Sequence, residues 1–188
     1  MFVRFGYVAM STVVEKASPS QTMTATAFAK LEDRDAAIRK LERIAEQNLV
    51  NTLRLLKHNF AHDIRFYRFS SRLIPLVGHE MLAGWDPISR LAEPFAAIGA
   101  FVREHGMRVG FHPDHFTVLS TPRQDVLDKS VADLDRHVRM LECMGLDERA
   151  KLNVHIGGAY GDKERTMDRF LRQFAALPER IRNRMMLE

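Results

Sequence analysis

Three histidines and one glutamate sit where short apolar runs give way to loops. His112 closes the run Arg108-Val109-Gly110-Phe111-His112, and His155 lies near the end of Leu152-Asn153-Val154-His155-Ile156, just ahead of Gly157-Gly158. His79 falls in the broken segment after Ile64–Ser71, and Glu188 ends the last run, Arg184–Glu188. Imidazole nitrogens and a carboxylate at successive strand ends would converge on one axis, offering ligands suited to Mn, Zn or Fe. A lone histidine at a strand end ordinarily serves a loop, whereas His112 and His155 are matched at equivalent ends of consecutive strands, which favours ligation. Four other histidines have plainer roles. His105 precedes Gly106 and suits a helix C-terminus, where a cation complements the dipole. His137 falls inside a helix and is expected to be solvated. His58 and His62 flank the break between the first helix and second strand and are expected to be structural.

Positive charge gathers at Arg54, Lys57, Arg65, Arg68 and Arg72, around the second strand. Such charges ordinarily form a solvated, ion-paired face. Arg72, past the strand's C-terminal end, is the phosphate candidate. Gly157 and Gly158 allow close backbone approach, which serves either a phosphate or a tight turn.

The elements that must position these groups alternate in type. Val3–Val8 has the pattern of a strand, followed by a polar loop over 11–26. Apolar residues recur at three- and four-residue steps from Asp33 to His58, predicting a helix. Ile64–Ser71 alternates as a strand does. Helices are predicted over Ser89–His105, within Pro122–Gly145 and over 162–176, with strands at Arg108–His112, Leu152–Ile156 and Arg184–Glu188. This β-α-β-α order predicts an α/β protein with a parallel sheet and right-handed crossovers. Two architectures compete, a doubly wound sheet and a (β/α)8 barrel. No glycine-rich phosphate loop follows the first strand, which removes the usual dinucleotide-binding sign. A complete barrel typically needs ~250 residues, so the strands present amount to about five of eight β/α units.

The 188 residues carry 28 Lys+Arg against 24 Asp+Glu, a net charge of +4 that is too mild to decide for or against nucleic acid. At 46% hydrophobic residues there is ample side chain for a core, so disorder is excluded for most of the chain. No apolar run approaches the ~20 residues that span a bilayer, and the apolar N-terminus, interrupted by Arg4, does not have the form of a signal peptide. A single cysteine, Cys143, excludes an intramolecular disulfide and fits a reducing compartment.

Several fragments together carry a resemblance. Phe5-Gly6-Tyr7, Leu55-Leu56-Lys57-His58-Asn59, Phe66-Tyr67-Arg68-Phe69-Ser70-Ser71, Gly110-Phe111-His112-Pro113, Val154-His155-Ile156-Gly157-Gly158 and Tyr160-Gly161-Asp162-Lys163 follow one another in an order that resembles the UV damage endonuclease family, the UvsE or UVDE type. The resemblance covers essentially the whole chain as one domain, and it is specific in combination. It implies a (β/α)8 TIM-type barrel that hydrolyses the phosphodiester backbone 5′ of cyclobutane dimers, 6-4 photoproducts and, in several members, abasic sites. It further implies a cluster of divalent metals in the barrel mouth, commonly Mn2+, with Zn2+, Mg2+ or Fe as alternatives. Carried over by motif, His79, His112, His155 and Glu188 fall on metal ligands, with His112, His155 and Glu188 as the catalytic core.

Damaged double-stranded DNA is the implied partner, and the bacterial cytoplasm, at the nucleoid, the implied location. Tyr7 falls on a tyrosine near the damaged strand. His115 and Phe116 fall on a duplex-probing pair that family members commonly fill with Gln and Tyr. Ser11 stands where members often have Asn, and Arg72 and Lys163 complete the expected DNA-contacting set. The family's chain continues beyond the fifth strand with further ligands, so the resemblance implies a truncated member with an incomplete metal cluster. Such a chain is expected either to self-associate through open sheet edges or to be a stable remnant of a longer parent, and to nick poorly alone, whereas the full-length form is a monomer. Apolar Phe2, Phe5, Met185 and Leu187 would then face water. Rival readings are another metal-dependent barrel enzyme, such as a sugar isomerase or abasic-site endonuclease, and a non-catalytic damage-binding fragment.

Overall fold

A computed structural model describes residues 3–188. Five strands, β1 (Gly6–Val8), β2 (Phe66–Phe69), β3 (Arg108–Phe111), β4 (Lys151–Val154) and β5 (Met185–Leu187), form one sheet in the order β1-β2-β3-β4-β5. Every neighbouring pair is parallel. A doubly wound sheet reverses its strand order at a switch point. Here the order never reverses, so right-handed crossovers all return on the same face, the arrangement of a barrel wall. Among the described residues β1 and β5 each have one free edge.

The covering helices are α1 (Ala25–Ala29), α2 (Arg34–Ala61), α3 (Pro87–Arg90), α4 (Ala92–Glu104), α5 (Gln124–Cys143), α6 (Lys163–Ala175) and α7 (Glu179–Arg182). α2 packs on α4, α4 on α5, and α5 on α7. None of them is long and apolar enough to cross a membrane. The core lies between helices and sheet, where Tyr67 and Phe69, Val109 and Phe111, and Leu152 and Val154 bury their side chains against Leu55, Phe95, Ile98 and Leu141. The intervening strand residues must therefore point to the other, concave face. Glycines let the strands meet: a Cβ on Gly110 would lie 2.3 Å from the Lys151 carbonyl oxygen, and one on Gly6 equally close to that of Phe66.

Several boundaries differ from expectation. The predicted helix over Ser89–His105 is two helices, α3 and α4, meeting at Leu91. Pro94 lacks an amide hydrogen and is tolerated in the first turn of a helix, so the second helix restarts just before it. β1 begins at Gly6, three residues later than the alternation suggests. The polar loop after β1 ends in α1, capped by Thr24, and is fastened to α2 by buried asparagines. Asn48 donates to the carbonyls of Gln21 (2.8 Å) and Leu73 (3.0 Å), and Asn51 to that of Ser18 (2.8 Å). Of the apolar residues expected to face water, Phe5 and Leu187 do, while Met185 packs against the core and Phe2 lies outside the described residues.

Candidate active site at the C-terminal strand ends

Strand alternation places Arg68, Asn153 and the residues just beyond β3, β4 and β5 on the concave face. There the structure brings together His112, His155 and Glu188. His112 Nε2 stands 3.4 Å from Glu188 Oε2, and the His112 and His155 rings meet edge to face with centroids 4.9 Å apart. Glu188 is set in place by its backbone, whose N–H donates to the Val154 carbonyl at 3.1 Å and extends the β4–β5 ladder. The same Oε2 receives Arg68 Nη1 at 3.5 Å and Asn153 Nδ2 at 3.5 Å. Arg68 also lies over the Phe66 ring at 5.8 Å, and its buried Nε has no hydrogen-bond partner.

His112 Nδ1 lies 3.1 Å from the Pro113 carbonyl oxygen. A carbonyl only accepts, so Nδ1 is the donor of that contact, and Nε2 is the ring atom turned toward Glu188. An imidazole nitrogen and a carboxylate oxygen facing each other at 3.4 Å are both donor types that bind divalent cations. The donor set therefore has the chemistry of a divalent-metal site, although among the described residues no trio of His, Cys, Asp or Glu is already arranged to hold an ion.

His79 is placed differently from its three expected companions. It caps the short 3-10 turn Glu80–Leu82, its Nδ1 accepting from the Met81 amide at 3.2 Å, and it lines a cleft with Trp85, Asp128 and Arg136. The described contacts of its ring are within its own turn. His137, expected to be solvated, is buried. Its Nδ1 donates to the Asp133 carbonyl at 2.8 Å, its ring meets Phe111 edge to face, and Nε2 has no partner. Burial holds its pKa below the usual histidine range, and Arg136 adds to that while Asp133 opposes it. His105 caps α4 as expected and stacks on Phe60 at 4.1 Å. His62 Nδ1 reaches the His58 carbonyl at 2.8 Å, which fits the structural role.

The expected DNA-contacting residues occupy the rim. Phe116 is 74% exposed and stacks on His115 with ring centroids 4.0 Å apart. Asp114 organises this tip: one oxygen meets His115 Nδ1 at 2.8 Å, and the other lies 3.9 Å from Arg72. Lys163 is exposed at the first position of α6, beside the Asp162 cap. The Tyr7 hydroxyl is engaged, donating to Asn59 Oδ1 at 2.7 Å. Ser11 Oγ accepts from the amides of Val13 and Val14, both at 3.2 Å, and so shapes its own turn. Below them, Tyr67 is kept protonated by burial, and its hydroxyl donates to the Ala9 carbonyl at 2.8 Å, where the backbone takes a left-handed turn.

Sequence reasoning missed two participants, Arg68 and Asn153. Arg68 was absorbed into a basic cluster and Asn153 into an apolar run. Strand parity held the signal, since each residue shares a face with the site residue on its own or the neighbouring strand.

Known proteins share this fold. A solved structure described as the crystal structure of SacUVDE superposes with a TM-score of 0.86 over 99% of this chain and 60% of its own, at 26% identity. A curated UV DNA damage endonuclease of Halalkalibacterium halodurans is 46% identical over all 188 residues, and one of Bacillus pumilus is 40% identical. The chain spans 58% of the length of each of those two relatives. The family model for UV-endonuclease UvdE matches residues 3–188, and the chain belongs to that family.

Proposed function

We propose that this chain carries the amino-terminal part of the catalytic mouth of a DNA repair endonuclease, within a (β/α)8 barrel of which it supplies about five units. The reaction is hydrolytic nicking of the phosphodiester backbone 5′ to UV photoproducts, with abasic sites as further substrates. The carrying observation is the approach of His112 Nε2 to Glu188 Oε2 at 3.4 Å, with His155 beside them, on the concave face below an exposed aromatic tip. His112, His155 and Glu188 would hold a divalent cation, Mn2+ being the favoured ion. When bound, the cation neutralises phosphate charge and lowers the pKa of a bound water.

The chain's own residues supply recognition. Phe116 and His115 enter the stack at the lesion. Opening a step costs a few kcal/mol, and the cost is least where the base is damaged or unpaired, so damage is selected without base readout. Arg72 and Lys163 face the backbone phosphates from the rim. Arg68 and Asn153 keep one oxygen of Glu188 occupied and leave the other free.

The experiment is a nicking assay with Mn2+ on three duplexes: UV-irradiated, abasic and undamaged. Incision of the first two, abolished by Glu188→Gln, supports the reading. Equal incision of all three would refute damage selectivity. A second reading, damage binding without cleavage, is favoured by the separate placement of His79 and by the absence of a ready metal-binding trio among the described residues. Preferential binding of damaged duplex with no incision in any divalent metal would select it.

A further inference from the structure

The loop between β3 and α5 has two tiers. Its tip carries the exposed His115 and Phe116 next to a half-buried Asp114, whereas its base, Thr117–Thr121, is buried apart from Val118. Of its three buried hydroxyls, Thr121 Oγ1 accepts from the Arg123 amide at 3.2 Å, Ser120 Oγ has no partner, and Thr117 is tied to α5. Thr117 Oγ1 donates to Asp133 Oδ2 at 2.8 Å. The Val118 amide donates to Ser130 Oγ at 2.9 Å, and Ser130 donates onward to the Val126 carbonyl at 2.8 Å. Asp133 is itself fixed by Arg136 at 3.2 Å, and its carbonyl receives His137. From the other side, Arg169 of α6 donates to the Ser120 carbonyl at 2.6 Å. The loop after β4 closes over the same base: a Cβ on Gly157 would lie 2.6 Å from both Ser120 Oγ and Val118 Cγ1. Leu119, fully buried, anchors the middle of the base in the core.

We propose that Asp133 and Ser130 on α5, acting through Thr117 and Val118, are positioning residues that fix the height and direction of the Asp114–Phe116 tip. The inference rests on the reading of Phe116 as the residue that enters the duplex. The physical reason is entropic. Ordering a residue's backbone costs ~1–2 kcal/mol, so a loose tip would spend its stacking gain on ordering itself. A tip already set on a rigid base enters the stack without that loss, as preorganised binding surfaces do. Thr117 is the hinge point, because its amide also donates to the Asp114 carbonyl at 2.8 Å and so ties the tip to the base within one turn.

The test uses Thr117→Val, which keeps shape and removes the donor, with Thr117→Ser as the variant that restores it. Two quantities are read on the full chain: amide hydrogen exchange over 114–118, and the ratio of affinities for dimer-containing and undamaged duplex at one salt concentration. Thr117→Val should speed exchange over 114–118 but not in α2 or α4, and should lower the affinity ratio about three- to tenfold, the worth of one buried hydrogen bond. Thr117→Ser should return both to the original values. In a Phe116→Ala background Thr117→Val should lower the ratio no further.

Unchanged exchange over 114–118, or an equal loss of affinity for both duplexes, would overturn the proposal. If Phe116→Ala alone leaves the ratio intact, the insertion reading fails, and the exchange measurement still decides whether the base positions the tip. Faster exchange throughout the chain would show that Thr117 supports the fold generally and would overturn the specific role.

Discussion

His137 gives the folded state a pH dependence whose sign follows from its surroundings. The ring is 2% exposed, with Phe111 against its edge, Asp133 and Arg136 as its charged neighbours, and a bare Nε2. Burial depresses its pKa below the unfolded value of 6.5, so the unfolded chain takes up the proton first. This group costs no stability well above pH 6.5, and stability is lost as pH falls below that value until the folded pKa is reached. Between those limits the loss approaches about 1.4 kcal/mol per pH unit, the free energy of one proton. Other histidines titrate in the same window, so the quantity to measure is a difference. Urea unfolding, followed by the fluorescence of Trp85, should be compared at pH 7.5, 6.5 and 5.5 for the parent and for His137→Leu. The variant replaces a polar group whose Nε2 is unpaired, so at pH 7.5 its stability should be equal to or above the parent's. Its advantage should grow as pH falls from 6.5 toward 5.5. Parallel curves for parent and variant over that range would refute the reasoning, because they would mean that the folded ring accepts its proton as easily as the unfolded one.

Four further outcomes follow from the geometry. Gly110→Ala should force β3 and β4 apart at the Lys151 carbonyl and cost on the order of 1–3 kcal/mol, and an unchanged thermal midpoint would contradict the close approach. Phe116→Ala should weaken binding to damaged duplex by about 1–3 kcal/mol and leave undamaged binding nearly untouched. Arg72→Ala should weaken both and flatten the salt dependence, as competition titrations at several salt concentrations would show. Mn2+ binding, measured by calorimetry, should weaken in Glu188→Gln and in His112→Ala, and unchanged binding in both variants would exclude these residues as ligands.

What could be read from the sequence divides along physical lines. Strands β2 to β5 and the long helices announce themselves because each buries one face, and burial imposes a period that composition alone does not. The break at Leu91 was hidden because Ile88, Leu91, Phe95 and Ile98 keep helical spacing across it, and only the constraint at Pro94 requires two segments. His137 was misjudged for a related reason. It lies three residues after Leu134 and four before Leu141, both fully buried, so its position on the helix assigns it to the core stripe whatever its polarity. His79 could not be placed because periodicity says nothing inside a loop. Its ring orientation follows from a hydrogen bond to the amide two residues on, a local contact that no pattern reports.

The concave face shows the same logic from the other side. Residues pointing there alternate with core residues, so they escape the selection for apolarity that makes strands visible. Position 68 can therefore be arginine and position 153 asparagine without loss of the fold. Their registers then decide what they do. Arg68 is level with Gly110 across β2 and β3, and from there its guanidinium reaches Glu188. Asn153 is level with Met186, two residues before Glu188, and so meets the same oxygen from the neighbouring strand. A carboxylate with one oxygen held by side chains from β2 and β4 is oriented by the sheet itself. Its free oxygen consequently keeps its place only while β2, β3, β4 and β5 stay in register, which couples the chemistry of the mouth to the glycines that let those strands approach.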